Sequence, residues 1–216
     1  MDSVKRMLLA NRAWVEGKRA LQPDYFTEMA KEQRPEFLWI GCSDSRVPAE
    51  EITGTSPGEL FVHRNVANLV VHTDLNLMAV LQFAVEHLKV RHVIVCGHNN
   101  CGGVKAALSH KGFGLMNKWL RQIKDTYHHQ RVAIDALPTY EERVNALVAA
   151  SVVEQVHNLV QTSIIQRAWH DEQRPTLHGW VYALSDGLIK PLVQLDPTTP
   201  IDDAYRFDFD DPASGV

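Results

Sequence analysis

Two stretches of the sequence, 39–46 and 96–103, carry side chains at spacings that suit a metal ion. The candidate ligands in them are Cys42, Asp44, His98 and Cys101. Two thiolates and one imidazole suit zinc, a borderline-soft ion that prefers tetrahedral nitrogen and sulfur ligands. Three such ligands would leave a fourth position open for water, as in catalytic zinc sites, although a structural site remains an alternative at this point. The residues therefore predict one zinc ion per chain.

Asp44 has two possible roles in such a site. As a ligand it would close the site and make it anionic. Held away from the metal, it could accept a hydrogen bond from a zinc-bound hydroxide. Such help would matter, because a zinc ion neutralised by two thiolates generates hydroxide less readily than one with three neutral histidines. Arg46, two residues further on, could hold Asp44 off the metal through a bidentate ion pair.

Two glycines, Gly102 and Gly103, directly follow Cys101. Because they lack side chains, backbone amide groups there could approach a small ligand closely. The predicted helix that follows directs its positive end toward the same place, which would suit a small anion such as bicarbonate.

Composition narrows the function classes. The chain has 216 residues, 45% of them hydrophobic, and a formal net charge of −4. This balance, without basic runs, argues against a nucleic-acid partner. We find neither a signal-peptide core nor an apolar stretch of the ~20 residues that span a bilayer, so the expected location is cytoplasmic, without a membrane. In that compartment, three cysteines favour metal or catalytic roles over disulfides. Cys96 lies inside an apolar run, so we expect its side chain to be buried and to serve only in packing.

The elements that must position these residues are predicted from apolar patterns. Continuous apolar runs at 37–41, 60–66 and 91–96, with an amphipathic helix over 74–88, indicate parallel strands joined by right-handed crossovers. The ends of such strands lie at one edge of a sheet, where ligands bind. Cys42 and His98 each follow a strand, so we expect them to meet there.

The predicted fold class is α/β, with a mostly parallel central sheet, flanking helices, an N-terminal helical arm and a C-terminal hairpin with edge strands. We expect a dimerisation arm over 1–35, a zinc-binding catalytic domain over 36–195 and a loosely held tail over 196–216. Local predictions are a loop over 47–59, a helix from Leu115 to Tyr127, a capped helix from Thr139 to about Trp169, and a hairpin around Ser185–Gly187.

Three blocks, 42–46, 64–68 and 97–103, resemble the signature blocks of β-class carbonic anhydrases, and the likeness extends over residues from about 1 to 195. The resemblance implies reversible hydration of carbon dioxide to bicarbonate and a proton, with zinc held by Cys42, His98 and Cys101. It implies a catalytic dyad of Asp44 and Arg46 in the active state, and Asp44 as fourth zinc ligand in the inactive state.

The sequence is especially similar to the bacterial subgroup that bicarbonate regulates. That likeness implies a second, non-catalytic bicarbonate site formed by Trp39, the Gly41 carbonyl, Arg64 and Tyr182. The family also implies homodimers, in which N-terminal helices wrap the partner, often paired into tetramers. The departures are Asn100, where threonine is common, and the divergent tail after Leu195; these bear on assembly more than on chemistry.

Other interpretations stay open on the residues alone. The chain could be a non-catalytic scaffold stabilised by zinc, although a scaffold has no need of Asp44 or Arg46. It could also hydrolyse another small linear molecule, such as carbon disulfide. Trp39 and Tyr182 could be core aromatics, and Arg64 a salt-bridge partner.

Overall fold

The structure is a computed structural model that describes residues 2–210. The chain forms two compact units, one up to Arg34 and one from Pro35 onward. The first contains helices α1 (Ser3–Leu21) and α2 (Tyr25–Met29). Trp14 joins them, since its indole packs edge-on against the ring of Phe26 at a centroid distance of 5.4 Å. Helices are thus present where the arm was predicted.

The second unit is built on a five-stranded sheet in the order β2-β1-β3-β4-β5. The strands are β1 (Phe37–Cys42), β2 (Leu60–Asn65), β3 (His92–His98), β4 (Thr176–Tyr182) and β5 (Ile189–Leu195). The first four are parallel, and β5 pairs with β4 in antiparallel fashion. This confirms the predicted α/β class and the C-terminal hairpin. Pro191 lies in β5, at the edge of the sheet, where a missing N–H does least harm.

Helices connect the strands and cover the sheet. In chain order they are α3 (Ala49–Thr53), α4 (Leu75–Gln82, continued by a π-helical turn, Phe83–His87), α5 (Gly102–Leu108), α6 (Met116–Trp119), α7 (Arg121–Asp135), α8 (Tyr140–Val160) and α9 (Ser163–Glu172). The main apolar core combines strand residues such as Leu38 and Val95 with α8 residues such as Val148 and Val152. The predicted capping box is present, because Thr139 and Glu142 exchange backbone and side-chain hydrogen bonds.

Three local predictions were wrong. The stretch 47–59 is not wholly a loop, because α3 forms within it after Pro48. The helix predicted to run to Trp169 ends at Val160, where Thr162 caps a new helix by accepting a hydrogen bond from the N–H of Ile165. The helix predicted from Leu115 to Tyr127 is divided at Leu120 into α6 and α7.

The predicted tail over 196–216 falls partly on residues 211–216, which lie outside the described part of the chain. Within the described part, the Gln166 side chain donates to the carbonyl of Tyr205 at 2.8 Å and accepts from the N–H of Phe207 at 2.9 Å. These bonds hold Tyr205 and Phe207, in the middle of the predicted tail, on α9. Across residues 2–210, no helix has the length and apolar character that crossing a bilayer requires.

Candidate metal centre

Two parallel strands bring the candidate ligands to one edge of the sheet. Cys42 is the last residue of β1 and His98 the last of β3, and the two strands pair directly. Cys101 immediately precedes α5. One ligand atom of each of these three buried residues lies within 4.8 Å of the others. The structure therefore brings together three of the four candidate ligands, Cys42, His98 and Cys101.

The three side chains fit a tetrahedral zinc ion. Two sulfurs, each about 2.3 Å from such an ion, lie about 3.8 Å apart, and Sγ of Cys42 and Sγ of Cys101 are 3.9 Å apart. Nδ1 of His98 lies 3.0 Å from the carbonyl oxygen of Asn99, so its proton is donated there. Nε2 is left with its lone pair free, and it is buried without a hydrogen-bond partner among the described residues. An unsatisfied buried imidazole nitrogen facing two thiols is the arrangement that a metal would satisfy.

Asp44 is held by Arg46 at the edge of this cluster. Nε of Arg46 donates to Oδ1 of Asp44 at 2.9 Å, Nη2 donates to Oδ2 at 2.7 Å, and the Arg46 backbone N–H donates to Oδ1 at 3.0 Å. These bonds hold the pKa of Asp44 well below its usual value, because each favours the charged form. Oδ2 also lies 3.7 Å from Nε2 of His98. The Asp44 carboxylate is thus an anion beside Cys42, His98 and Cys101, and the Arg46 guanidinium holds it in place.

The two thiols influence each other. Contact with the Cys101 thiol lowers the pKa of Cys42 below its ordinary value, against the opposing effect of burial, and the backbone N–H of Ala67, 3.3 Å from Sγ, acts in the same direction. Cys42 in turn raises the pKa of Cys101, as does burial. Cys96 is fully buried in β3, as predicted. Burial raises its pKa to about 12, so Cys96 is an inert thiol near neutral pH.

The two glycines after Cys101 differ in their surroundings. A Cβ at Gly102 would meet nothing within 4 Å. A Cβ at Gly103 would lie 3.0 Å from Cβ of Ala67 and 3.1 Å from Cγ1 of Val66. Gly103 is therefore required for close packing of α5 on the segment after β2, while Gly102 faces open space.

The four residues of the implied bicarbonate site lie on one face of the sheet, by strand register. The indole of Trp39 packs so closely on Gly41 that a Cβ there would clash with its Nε1. Tyr182 lines a cavity of about 540 Å³ together with Arg46. Arg64 donates from Nε to the carbonyl of Cys42 and from Nη2 to the carbonyl of Asp44. This guanidinium therefore binds the backbone of the ligand loop.

Comparison with known proteins decides the family. Residues 37–189 match the family model described as "Carbonic anhydrase". A carbonic anhydrase of Emericella nidulans is 49% identical over 183 residues, which cover 85% of this chain and 80% of the relative. The solved tetrameric β-carbonic anhydrases of Sordaria macrospora include a chain that superposes with a TM-score of 0.87 at 37% identity, covering 90% of this chain and 100% of that one.

The chain belongs to the β-class carbonic anhydrases.

As a carbonic anhydrase, it interconverts carbon dioxide and bicarbonate. The relatives reach beyond one group of organisms. A carbonic anhydrase of Saccharomyces cerevisiae is 34% identical and covers 92% of this chain and 93% of the relative. A Coccomyxa β-carbonic anhydrase solved with acetazolamide superposes with a TM-score of 0.86 at 37% identity, over 90% of this chain and 89% of that one. The fungal relatives do not point to a bacterial subgroup in particular.

Some residues that shape the centre were missed by the sequence analysis. The N–H of Ala67 contacts Sγ of Cys42. A pattern of side chains cannot predict such a contact, because the donor is a backbone group. Gln155 and Asn158 are buried on α8 and bind the backbone of Val70. The sequence could have indicated both residues, because they occupy the apolar face of a predicted helix, and polar side chains at buried positions are usually hydrogen-bonded.

Proposed function

We propose that this carbonic anhydrase uses one zinc ion, held by Cys42, His98 and Cys101, and that Asp44 and Arg46 form its catalytic dyad. The observation that carries this is the convergence of two thiols and a free imidazole nitrogen at the carboxyl ends of β1 and β3. The donor set and the 3.9 Å sulfur separation fit zinc. When bound, the zinc ion supplies the Lewis acidity that makes hydroxide available from water near neutral pH.

The other steps belong to the chain's own residues. Oδ2 of Asp44 lies next to the imidazole edge of His98, so this carboxylate can accept a hydrogen bond from a water molecule beside the ligands and orient its lone pair. Arg46 fixes the carboxylate through two side-chain bonds and keeps it from becoming a fourth ligand. Since two thiolates cancel the charge of a divalent ion, an oriented acceptor matters more here than in a site with neutral ligands.

We also propose the finer regulation that the bicarbonate-regulated subgroup suggests. In the inactive arrangement Asp44 leaves Arg46 and joins the three ligands, and bicarbonate bound near Trp39, Gly41, Arg64 and Tyr182 favours that exchange. The 3.7 Å between Asp44 and His98 supports this, because a small displacement suffices. The bonds from Arg64 to the carbonyls of Cys42 and Asp44 offer a direct mechanical link.

Self-association is a further part of the proposal. The Sordaria relatives are described as tetrameric, and a homodimer that pairs into a dimer of dimers would suit this chain. Helix α1 supports it, because it buries none of its residues and leaves large apolar side chains exposed, among them Val4, Met7, Leu8 and Trp14. Exposed apolar faces of this kind are typical of interaction surfaces.

The test is stopped-flow carbon dioxide hydration with metal analysis of the same samples. Wild type should contain one zinc per chain and accelerate hydration, while Cys42→Ser should lose both the metal and the activity. Cys96→Ala is the matched control, since Cys96 is a buried thiol that lies outside the ligand cluster, and it should keep both. A zinc-replete wild type no faster than buffer at alkaline pH would instead indicate a zinc-stabilised scaffold.

A further inference from the structure

The segment that follows β2, Val66–Val70, has an unusual backbone for its sequence. Ala67 and Asn68 both lie in the left-handed region, with φ of +65° and +49°. Neither is glycine, and such conformations persist only where surrounding contacts hold them. All four residues from Ala67 to Val70 are buried. Something in the core must therefore fix this segment.

The result of this conformation is a contact with a metal ligand. The N–H of Ala67 points at Sγ of Cys42, at 3.3 Å. A hydrogen bond to a thiolate sulfur stabilises its charge and sets how strongly it binds and neutralises a metal. The placement of one backbone amide therefore bears on the chemistry of the centre.

Two clamps hold the segment. The first is local: the side chain of Asn65 accepts from the N–H of Leu69 and donates to its carbonyl, both at 2.8 Å. The second comes from α8, far along the chain. Oε1 of Gln155 accepts from the N–H of Val70 at 2.7 Å, and Nδ2 of Asn158 donates to the carbonyl of Val70 at 3.1 Å.

Of the two residues in the α8 clamp, Gln155 is in the less favourable environment. It is fully buried, and its Nε2 has no hydrogen-bond partner among the described residues. Because the N–H of Val70 can only donate, the atom that faces it must be the amide oxygen. A buried amide nitrogen without a partner costs free energy. A glutamine at this position therefore indicates that the hydrogen bond at its Oε1 is needed.

We propose that Gln155 is a positioning residue for the metal centre: by holding the Val70 N–H, it keeps the Ala67 N–H on the sulfur of Cys42. This inference rests on the proposed zinc function. Gln155 itself makes no hydrogen bond to Cys42, His98 or Cys101 within the described part of the chain, so its effect passes through the segment alone.

The test compares zinc affinity in Gln155→Met and Gln155→Glu, measured by competition with a chromophoric chelator. Methionine keeps the volume but cannot accept the hydrogen bond, so the affinity should fall by roughly 10–100-fold. Glutamate retains an acceptor oxygen and should restore affinity to within a few-fold of wild type. In cobalt-substituted protein, the thiolate-to-metal charge-transfer band should shift in Gln155→Met and return in Gln155→Glu.

Two controls separate positioning from general loss of stability. Ser151→Ala lies one turn earlier on the same buried face, and Oγ of Ser151 makes no hydrogen bond within residues 2–210, so this variant should match wild type. Ile165→Val removes one buried methyl group from α9. It should lower the melting temperature without touching the segment, and it should leave zinc affinity and the cobalt band unchanged. If Gln155→Met does not fold, Asn158→Leu removes the other half of the α8 clamp and should weaken zinc binding.

The inference is overturned if Gln155→Met keeps the wild-type zinc affinity and cobalt band, or if Ile165→Val alters them equally. Either result would leave the proposed function intact, since wild type would still bind zinc. A wild-type protein without zinc affinity would instead overturn the proposed function itself.

Discussion

Nε of Arg64 donates a 2.9 Å hydrogen bond to the backbone carbonyl of Cys42. The same guanidinium reaches the carbonyl of Asp44 from Nη2 at 2.6 Å, while Arg46 binds the Asp44 carboxylate. The loop that carries Cys42 and Asp44 is therefore held by two guanidinium groups. One of them fixes its backbone and the other its side chain, so the position of Asp44 depends on both.

Replacing the carboxylate tests its role. Asp44→Asn keeps the shape but removes the negative charge that pairs with Arg46 and orients the water, so we expect hydration to slow by roughly 10²–10³-fold with zinc content unchanged. Stopped-flow kinetics and metal analysis check this. Asp135→Asn is the control, because Asp135 is also bound by an arginine, Arg131 at 3.2 Å, but lies on α7. Wild-type rates in Asp44→Asn would remove this residue from the mechanism.

The two neighbouring glycines should respond differently to the same change. Gly103→Ala places a methyl group against Ala67 and Val66, so the segment that carries the Ala67 N–H must shift, and overpacking should cost about 1–3 kcal/mol of unfolding free energy. Zinc affinity should fall with it. Gly102→Ala meets open space and should stay close to wild type in chemical denaturation and metal titration. Equal effects of the two variants would contradict the packing argument.

The sequence could predict those parts of the centre that depend on side-chain type and on the pattern of apolar strands. Cys42 and His98 each follow an apolar run, and parallel strands must bring their ends to one edge. The spacing from Asp44 to Arg46 likewise predicted the ion pair. These predictions hold because local sequence determines both the strand and the residue that ends it.

What could not be predicted depends on contacts between distant residues or on the backbone. The residue type of Ala67 does not indicate its left-handed conformation, since alanine does not favour it. The segment is held by Asn65 and by Gln155, which binds Val70 from 85 residues further along the chain. The helix break after Val160 is different, because its cause is local: the Thr162 side chain caps α9 three residues away, and this cap outweighs a continuous helical pattern.

A pair of histidines on the sheet should make stability depend on pH. Nδ1 of His92 and Nε2 of His178 lie 3.1 Å apart, and burial, with a smaller effect of His92, lowers the pKa of His178. Below an unfolded-state pKa of about 6.5, the unfolded chain binds a proton that the folded chain does not, so the free energy of unfolding must fall as pH falls.

His178→Gln should therefore flatten the decline of stability between neutral and mildly acidic pH, measured by urea unfolding at several pH values. His128→Gln, at an exposed position on α7, should keep the wild-type decline. If the slope in His178→Gln equals that of wild type, the pair does not contribute to it.

The proposed exchange of Asp44 between Arg46 and the metal makes a separate prediction for activity. Because the pKa of Asp44 is well below its usual value, acid does not neutralise this carboxylate in the working range, and it stays able to bind a metal. Hydroxide would become scarcer as pH falls, so the carboxylate would compete better for a place beside Cys42, His98 and Cys101. We expect activity to fall cooperatively below neutral pH, and added bicarbonate to move that fall to higher pH.

Tyr182 provides the means to separate regulation from catalysis. It lines the cavity of about 540 Å³ beside Arg46, and Tyr182→Phe removes only a hydroxyl that could bind bicarbonate. This variant should keep the alkaline rate but lose most of the shift caused by bicarbonate, as followed by stopped-flow hydration across pH. Tyr127→Phe is the control, because its hydroxyl donates to Asp135 on α7 at 2.7 Å and has no part in the cavity. A wild-type profile that stays flat from mildly acidic to alkaline pH, with or without bicarbonate, would mean that Asp44 does not leave Arg46.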